Sequence, residues 1–487
     1  MQVRKEIRVS LLLAVDPWLA YVLRLASEQQ LAGSVRETPG GVTIEVEGSA
    51  ESVDRFVARL PVEAPVPGSV ARIDVRELPV SGEGGFHMAA TGALSPDLAT
   101  MCGGCRRRLC DSDDPRHGMP TRVLLDENLP PILGLGGERQ NTVCLARGNQ
   151  AFLSQQIDDL ENPVSQACFR QTVENLERVL SIKPGIIAFG LHPASFPVRW
   201  ALEQNGVRRI GVQHHHAHIA ACMAENRLHD KVIGFALDGG GYGTDGRLWG
   251  GEALLADRSG FERAAHLAYV PMPGGAAAVR EPWRMAVAYL ARDFGRAFLD
   301  SRIPLFDEVG AAGITGLLNR MDREADSPLT SSCGRLFDAV AALVGLRQHL
   351  NSETQEAIGL EKLALDSRDE KAYPMGLVAE GAGWVIDTRP LFEALLADIE
   401  RKVPVGTLSR RFHNGLVVVL SRLAQLVRVH SGIRQVCLSG DVFENVFLFE
   451  RLRRALESDG FEVFSHVKVP AGDGGLSLGQ TVIAARR

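Results

Sequence analysis

Gly211-Val212-Gln213-His214-His215-His216-Ala217-His218-Ile219-Ala220 is followed closely by Phe235-Ala236-Leu237-Asp238-Gly239-Gly240-Gly241-Tyr242-Gly243-Thr244-Asp245-Gly246. The first segment predicts a helix that places His214 and His218 one turn apart on a single face. Two imidazoles at that spacing can chelate one metal ion. The second segment predicts an apolar strand that runs into a glycine-rich, acidic turn, whose backbone amides can approach a phosphate. Together the two segments indicate nucleotide-dependent group transfer.

Length and composition narrow the class of protein. The chain has 487 residues, which is too many for one ordinary domain. Hydrophobic residues make up 45% and charged residues 23%, as is typical of soluble globular proteins. The formal net charge of −6 argues against a general nucleic-acid binder, because such proteins normally carry a basic surface.

The sequence also predicts the compartment. No apolar run reaches the length that spans a bilayer, and the charged N-terminus does not match a signal peptide. Most of the eight cysteines are scattered singly rather than arranged as a disulfide framework. We therefore expect a cytoplasmic protein with reduced thiols and no membrane partner.

Residues 1–90 predict a small α/β domain with the order βαββαβ, which describes a ferredoxin-like sandwich. A Pro-Gly-Gly turn joins two strands between Gly33 and Gly48, and Ser49 is placed to cap a helix. The predicted elements are strand Glu6–Val15, helix Pro17–Gln29, the paired strands Gly33–Gly48, helix Glu51–Arg59 and strand Ala71–Leu78.

Residues 91–125 are interpreted as a short, cysteine-containing connector. Cys102 and Cys105 form a Cys-x2-Cys knuckle, and Cys110 and His117 could complete a tetrahedral structural zinc site. Spacing alone cannot close such a site, so a vestigial knuckle without metal stays an equal alternative.

Residues 126–487 predict a larger α/β unit, in which apolar strands alternate with long helices. Strands are expected at Pro131–Gly136, Gly185–Phe189, Val232–Leu237 and Gln435–Leu438, and long helices at 165–180 and 407–428. Strands enter glycine turns at Gly134–Gly137 and Asp238–Gly246. Paired glycine turns on two α/β lobes predict a two-lobed fold with its ligand in the cleft.

The first domain resembles acylphosphatase, in particular the acylphosphatase-like module of the HypF family of hydrogenase-maturation carbamoyltransferases. The strongest match is Gly33–Gly48. The resemblance implies an arginine after strand one and a water-orienting asparagine, but this chain has Leu19 and Glu37 at those positions, with Asp16 nearby. A carboxylate there repels an anion. We therefore interpret the domain as catalytically inactive.

This substitution pattern leads to the expectation that the protein does not hydrolyse carbamoyl phosphate or other acyl phosphates. The reason is that neither Leu19 nor Glu37 can supply the missing cationic and water-orienting groups. The measurement is phosphate release against a heat-killed control. Release above that control which disappears on deletion of residues 1–90 would contradict the interpretation.

The large unit resembles the C-terminal, Kae1-like carbamoyltransferase domain of the HypF family. The segments that carry the resemblance are Cys144–Gly148, Val212–Met223, Leu237–Glu252, Arg280–Arg284, Ser331–Val340 and Asp473–Gln480. The resemblance implies an actin/Hsp70-like fold with ATP and a divalent metal, iron or zinc, between its lobes.

The same resemblance implies the roles of individual residues. His214 and His218 match two metal ligands, Asp473 matches an acidic ligand, and Asp238 opens the phosphate loop beside the metal as a further candidate ligand. His214, His218 and Asp238 are therefore the candidate catalytic residues. The expected contacts of ATP or carbamoyl-adenylate are Gly239, Gly241, Gly243, Thr244, Gly440, Asn445, Gly474 and Gly475. The neighbouring His215 and His216 either orient the substrate or only pack.

The family reaction implied by the resemblance has three steps. Carbamoyl phosphate is cleaved to carbamate, carbamate is adenylated, and the carbamoyl group moves to a C-terminal cysteine of HypE, where dehydration yields a cyanide ligand. The family's YrdC-like adenylating domain has no room between Pro120 and Pro131, so activated carbamoyl must come from elsewhere. The family's Ser-Gly-Gly-Val-Phe-Gln-Asn loop also carries Asp441 and Glu444 here, and Gln140 replaces a lysine.

Three hypotheses follow. The first is a HypF-type carbamoyltransferase of [NiFe]-hydrogenase maturation that acts on a HypE-like partner. The second is a catalytically impaired HypF paralogue that serves as scaffold or regulator. The third is a small-molecule O-carbamoyltransferase. A nucleic-acid substrate disagrees with the acidic net charge.

Overall fold

The computed structural model describes residues 2–11, 22, 25–26, 28–29, 31–38, 41–62, 70–80, 86–88, 120–301, 303–321, 327–346 and 355–487. The chain divides into two compact units, Met1–Met119 and Pro120–Arg487. Across the described ranges, no helix combines the length and the apolar character needed to cross a membrane.

The first unit is a five-stranded sheet with a helix. Its elements are β1 (Gln2–Leu11), β2 (Ala32–Thr38), β3 (Gly41–Ser49), α1 (Ala50–Val62), β4 (Val70–Leu78) and β5 (Phe86–Met88). The strand order is β4-β1-β3-β2-β5, with β1 antiparallel to both β3 and β4. This order confirms the ferredoxin-like prediction. Strand β5, which pairs in parallel with β2, was not predicted.

Alternating apolar residues build the core of this unit. Ile7 and Val9 on β1 and Ile44 on β3 are buried together with Phe56 of α1. Ser49 Oγ accepts a hydrogen bond of 3.1 Å from the Ser52 amide, which confirms the predicted helix cap.

Several predicted features fall outside the described residues. These are Leu19, the side chain of Glu37 and the four candidate zinc ligands, Cys102, Cys105, Cys110 and His117. The inactivity of the first domain and the zinc site therefore stay predictions.

The large unit begins with a four-stranded sheet of order β7-β6-β8-β9, in which β6, β8 and β9 run parallel and β7 runs antiparallel. The elements of this first lobe are β6 (Thr121–Gly134), β7 (Cys144–Leu153), α2 (Pro163–Leu180), β8 (Ile186–Phe189), α3 (Phe196–Glu203), β9 (Arg208–Gly211) and α4 (His214–Glu225).

The second lobe is built on a larger mixed sheet with the main order β15-β16-β12-β11-β10-β17-β18. Its elements are β10 (Val232–Tyr242), β11 (Leu248–Ala256), β12 (Phe261–Leu267), β13 (Val270–Pro271), α5 (Ala276–Arg280), α6 (Trp283–Phe294), α7 (Pro304–Met321), β14 (Leu329–Thr330), α8 (Cys333–Leu343), α9 (Gln355–Leu365), β15 (Gly376–Glu380), β16 (Gly383–Asp387), α10 (Arg389–Glu400), α11 (Val405–Ser431), β17 (Gln435–Ser439), α12 (Val446–Ser458) and β18 (Glu462–Phe464). Helix α13 (Leu476–Ala484) then returns to the first lobe and packs on β6. Two sheets in one unit agree with the predicted two-lobed α/β fold.

Strands β6 and β10 are longer than predicted. The expected strand at Pro131 begins at Thr121, so residues 121–125 of the proposed connector belong to β6. Its pairing with β7 shifts register between Leu124 and Ile132, where two prolines remove backbone donors. Strand β10 continues through Asp238 to Tyr242 across a register shift, so the predicted turn at Asp238 is a bulge within a strand.

Helices α4 and α13 are in very close contact. A Cβ atom at Gly479 of α13 would overlap the carbonyl oxygen of Ala217 on α4. Helix α4 also packs against β10 and β17, so it lies between the two lobes. The absence of a side chain at Gly479 is therefore what allows α13 to approach α4.

Replacing Gly479 by alanine is expected to lower the free energy of unfolding by about 1–3 kcal/mol, because the added methyl group overpacks a rigid interface. The matched control is Gly316→Ala in α7, where a Cβ atom meets nothing within 4 Å. We expect that control to be neutral or slightly stabilising. Denaturant unfolding of both variants measures the difference, and equal stabilities would show that the interface adjusts freely.

Candidate metal centre and cleft

Two histidines and two aspartates converge on one point. The Nε2 atoms of His214 and His218 lie 3.2 Å apart. Asp238 Oδ2 lies 2.9 Å from His214 Nε2 and 3.7 Å from His218 Nε2. Asp473 Oδ1 lies 3.2 Å and 3.5 Å from the same two atoms. One ligand atom from each residue falls within 4.8 Å of all the others.

Three separate parts of the fold deliver these side chains. Helix α4 begins at His214, and Gln213 caps it by accepting a hydrogen bond of 2.8 Å from the His216 amide. The i, i+4 spacing then places His214 and His218 on one face, as predicted. Asp238 comes from the bulge of β10, and Asp473 comes from the short 3-10 turn before α13.

A glycine allows β10 to approach the first histidine. A Cβ atom at Gly241 would lie 2.5 Å from Cγ of His214, which is closer than two carbon atoms can approach without displacement. The strand therefore reaches α4 because this position has no side chain.

The carboxylates of Asp238 and Asp473 stabilise a positive charge at the point where the four side chains meet. Burial opposes protonation of His214, but Asp473 and Asp238 outweigh it and raise its pKa to about 10. Burial alone would raise the pKa of Asp238, yet hydrogen bonds from His214 and His218 hold that pKa well below its usual range. The protein thus favours a cation at this point.

The donor set suits a divalent transition metal. Two imidazole nitrogens and two carboxylate oxygens are ligands that iron and zinc both accept. Asp473 Oδ1 is buried and has no hydrogen-bond donor among the described residues, as expected of an oxygen that faces an ion. The residues present therefore fit the predicted metal.

The other two histidines of the cluster take different environments. His215 accepts a hydrogen bond of 3.0 Å from Gln213, and burial holds its pKa well below the usual range, so that it is neutral. His216 donates to the carbonyl of Asp257 at 2.7 Å and packs against Phe261. These contacts favour the packing role among the alternatives for His215 and His216.

A cleft of about 930 Å³ opens beside the four converging residues. Gly239 and Gly241, two of the predicted nucleotide contacts, line it together with His214, Asp238 and Asp473. Both glycines remain candidate contacts for phosphate oxygens.

The other predicted nucleotide contacts are not among the residues that line this cleft. Thr244 is exposed in the hairpin turn after β10. Gly440 donates its amide to Ala471, Gly475 donates its amide to Gly472, and the carbonyl of Gly474 accepts from Thr142. Their assignment to nucleotide stays a prediction.

Gly243 and Asn445 have structural contacts of their own. A Cβ atom at Gly243 would overlap the indole of Trp249. Asn445 caps α12 through its Oδ1, which accepts 2.8 Å from the Leu448 amide, while its Nδ2 donates to His413 at 2.9 Å. The oxygen and the nitrogen of the Asn445 side chain are therefore both hydrogen-bonded within the protein.

The arginines that line the cleft were not predicted from the sequence. Four arginines line the cleft together with seven acidic side chains, and arginine is a common ligand of phosphate groups. Arg335 is 3% exposed and contacts both Asp338, at 2.6 Å, and the Gly239 carbonyl, at 3.4 Å. A usable signal existed, because two of these residues lie in the segments that carry the family resemblance. The four are Arg139, Arg199, Arg280 and Arg335.

Family models match three parts of the chain. Residues 127–225 match the HypF Kae1-like domain, residues 234–480 match the second subdomain of the Kae1-like domain of carbamoyltransferases, and residues 18–88 match acylphosphatase. The chain belongs to the HypF family. None of these three matches is a YrdC-like domain.

Curated HypF proteins resemble the chain along most of its length. Carbamoyltransferase HypF2 of Cupriavidus necator is 38% identical over 397 residues, which is 76% of this chain but 48% of the relative. HypF of Rhizobium leguminosarum is 38% identical over 372 residues, covering 76% of this chain and 47% of the relative. The chain thus spans about half the length of these relatives. A carbamoyltransferase HypF homolog of C. necator is 36% identical, and 92% of that protein is covered.

Solved HypF structures confirm the fold. A full-length HypF in its phosphate- and nucleotide-bound form has a TM-score of 0.71 at 38% identity, covering 75% of this chain and 56% of that one. HypF of T. kodakarensis has a TM-score of 0.68 at 19% identity and covers 100% of this chain and 98% of its own, which shows the fold alone. The acylphosphatase-type and Kae1-like predictions are therefore confirmed.

One departure from the HypF loop pattern lies in the cleft. Asp441, which stands where the family loop carries glycine, lines the cleft and has a buried Oδ1 without a donor among the described residues. Burial, together with the charges of Asp238 and Asp473, raises its pKa well above the usual range. Glu444 is exposed and is not among the lining residues. Gln140, which stands where the family carries a lysine, lines the same cleft, so Asp441 and Gln140 are both departures that a bound phosphate would meet.

Proposed function

We propose that the protein is a HypF-type carbamoyltransferase that moves an activated carbamoyl group to the C-terminal cysteine of a HypE-like maturation protein. The observation that carries the proposal is the convergence of His214, His218, Asp238 and Asp473 beside a cleft whose lining includes glycines, arginines and further acidic residues. That cleft belongs to a Kae1-like domain in a chain of the HypF family.

The four converging side chains would hold a divalent metal. Such an ion would supply Lewis-acid polarisation and positive charge beside the bound donor. The solved structure of a full-length HypF with phosphate and nucleotide bound supports a nucleotide as the second ligand. We propose that this chain uses carbamoyl-adenylate.

The chain's own residues would orient the donor and balance its charge. Arg335 and Arg280 would pair with the phosphate of carbamoyl-adenylate, and the backbone at Gly239 would approach it without a side chain in the way. In the transfer, a bond forms between the acceptor sulfur and the carbamoyl carbon. The bond from that carbon to the phosphate oxygen breaks, AMP leaves, and the thiol proton is released to solvent.

The test is transfer from chemically supplied carbamoyl-adenylate to a purified HypE-like protein. We expect a carbamoyl mass increase on the acceptor's C-terminal cysteine, which is lost when that cysteine is replaced by alanine. Arg335→Gln in the transferase should reduce the rate, because one donor to the phosphate is lost. A stable complex of the two proteins without any transfer would contradict the proposal.

A second function is favoured by one observation. Asp441 places an extra acidic group in the cleft of a chain whose matched domains do not include an adenylating one. An impaired HypF paralogue that binds the maturation partner as scaffold or regulator would tolerate such a change. Complex formation without turnover is the outcome that selects this alternative.

A further inference from the structure

A line of polar contacts runs from the metal centre into the interior behind it. His218 presents Nε2 to the two aspartates, and its Nδ1 lies 3.3 Å from Ser439 Oγ at the end of β17. Ser439 Oγ also lies 2.8 Å from His466 Nε2. The opposite ring nitrogen, His466 Nδ1, lies 3.3 Å from Oε2 of Glu225, the last residue of α4.

This Glu225–His466–Ser439 line resembles a hydrolytic triad in residue type, but it cannot act as one. Ser439 is 0% exposed, and the side chains of His466 and Glu225 are 3% and 4% exposed. No substrate carbonyl could reach the hydroxyl. The line ends instead at a candidate metal ligand, which points to a role in holding that ligand.

Glu225 sets the direction of the hydrogen bonds. Its Oε1 accepts from the backbone amides of Val467, at 3.1 Å, and Lys468, which favours the ionised carboxylate. Glu225 Oε2 and His466 Nδ1 lie 3.3 Å apart as an ion-pair contact, and neither atom has a hydrogen-bond partner among the described residues. A carboxylate that faces a ring nitrogen can only accept, so His466 carries its proton on Nδ1.

The remaining steps follow from that proton. With Nδ1 protonated, His466 Nε2 accepts the single proton of Ser439 Oγ in preference to the Ala471 carbonyl, which lies farther away at 3.2 Å. The oxygen of Ser439 is then free to accept from His218 Nδ1. His218 consequently keeps a lone pair on Nε2, the atom that faces Asp238 and Asp473.

We propose, on the basis of the metal-dependent function above, that Glu225, His466 and Ser439 are positioning residues that hold His218 in its metal-binding tautomer. Histidine ligands in metal sites depend on such partners for orientation and tautomer, and their loss typically weakens metal binding by about 10–100-fold.

The experiment compares Zn²⁺ and Fe²⁺ affinities of the full-length parent and its variants by chelator competition. Glu225→Gln retains the shape of the side chain but can turn an N–H donor toward His466 Nδ1. The proton of His466 is then no longer held on Nδ1, and the hydrogen bonds along the line can reverse. We expect affinity to fall by about tenfold or more. Ser439→Ala, which cuts the line at its centre, should give a similar loss even if the first variant folds poorly.

A double-mutant cycle distinguishes a connected line from separate packing effects. If the residues act in series, Glu225→Gln combined with Ser439→Ala should bind metal no more weakly than Ser439→Ala alone. The matched control is Glu252→Gln, because Glu252 is also buried, accepts two backbone amides and faces a cationic side chain, Arg263. We expect that control to retain the parental metal affinity, and thermal unfolding of the metal-free proteins monitors the fold.

The outcomes separate this proposal from the proposed function. A parent protein that binds no metal at His214 and His218 would overturn both. A parent that binds metal, with Glu225→Gln and Ser439→Ala at the affinity of the Glu252→Gln control, would overturn the positioning role alone. Fully additive losses in the double variant would also overturn it, since separate effects would then explain the data.

Discussion

Replacing His214 and His218 together by alanine is expected to remove one bound divalent ion per chain. The physical reason is that both imidazoles are lost from a set of four converging ligands, and Asp238 and Asp473 alone would leave two close carboxylates without neutral donors. Metal content of the parent and the double variant, measured after exhaustive buffer exchange, gives the result directly.

Two further variants make this result specific. His216→Gln is a matched control, because His216 lies on the same helix but donates to the Asp257 carbonyl instead. It should retain the ion. The double variant Cys102→Ser/Cys105→Ser removes the candidate knuckle. A structural zinc ion held by that knuckle would be lost from this variant and retained in the His214/His218 double variant. Unchanged stoichiometry in the His214/His218 double variant would show that the ion is bound elsewhere.

Local patterns in the sequence predicted most of the fold. The helix expected at 407–428 spans Val405–Ser431, and the strand expected at Val232 begins there, because periodicity and apolar runs are properties of neighbouring residues. The predicted ends of β6 and β10 were wrong, because prolines or a bulge interrupt the sequence pattern inside each strand. The two prolines inside β6 and the bulge around Gly240 in β10 both resemble element ends in the sequence.

The site was predictable to a different extent for each residue. The spacing of His214 and His218 alone indicates a chelating pair, whereas Asp473 joined them only through the family resemblance. The line from His218 to Glu225 was missed, since Ser439 and His466 reach α4 by tertiary packing that no local pattern records. Non-local contacts of this kind require the structure.

Removing the acidic group from the glycine loop should tighten ATP binding. Asp441→Gly combined with Glu444→Gln restores the family loop, and an anion a few ångströms from a phosphate costs about 1 kcal/mol or more in a wet cleft. Recovery of ~1.4 kcal/mol corresponds to roughly tenfold tighter binding. Because Asp441 lines the cleft while Glu444 is exposed, Asp441→Gly alone should supply most of the gain. Calorimetric titration with Mg-ATP measures each variant.

Because the pKa of Asp441 is raised, the effect of this residue on ATP affinity should depend on pH. That dependence tests whether repulsion between the Asp441 carboxylate and the phosphates weakens binding. Burial and the charges of Asp238 and Asp473 raise this pKa, so the carboxyl becomes neutral as the pH falls through it. A neutral carboxyl no longer repels phosphate. The advantage of the Asp441→Gly variant over the parent should therefore be largest at high pH and shrink as the pH is lowered. An advantage that is absent at every pH would show that the carboxylate points away from the bound phosphates, and the interpretation of Asp441 as the functional departure from the HypF family would then fail.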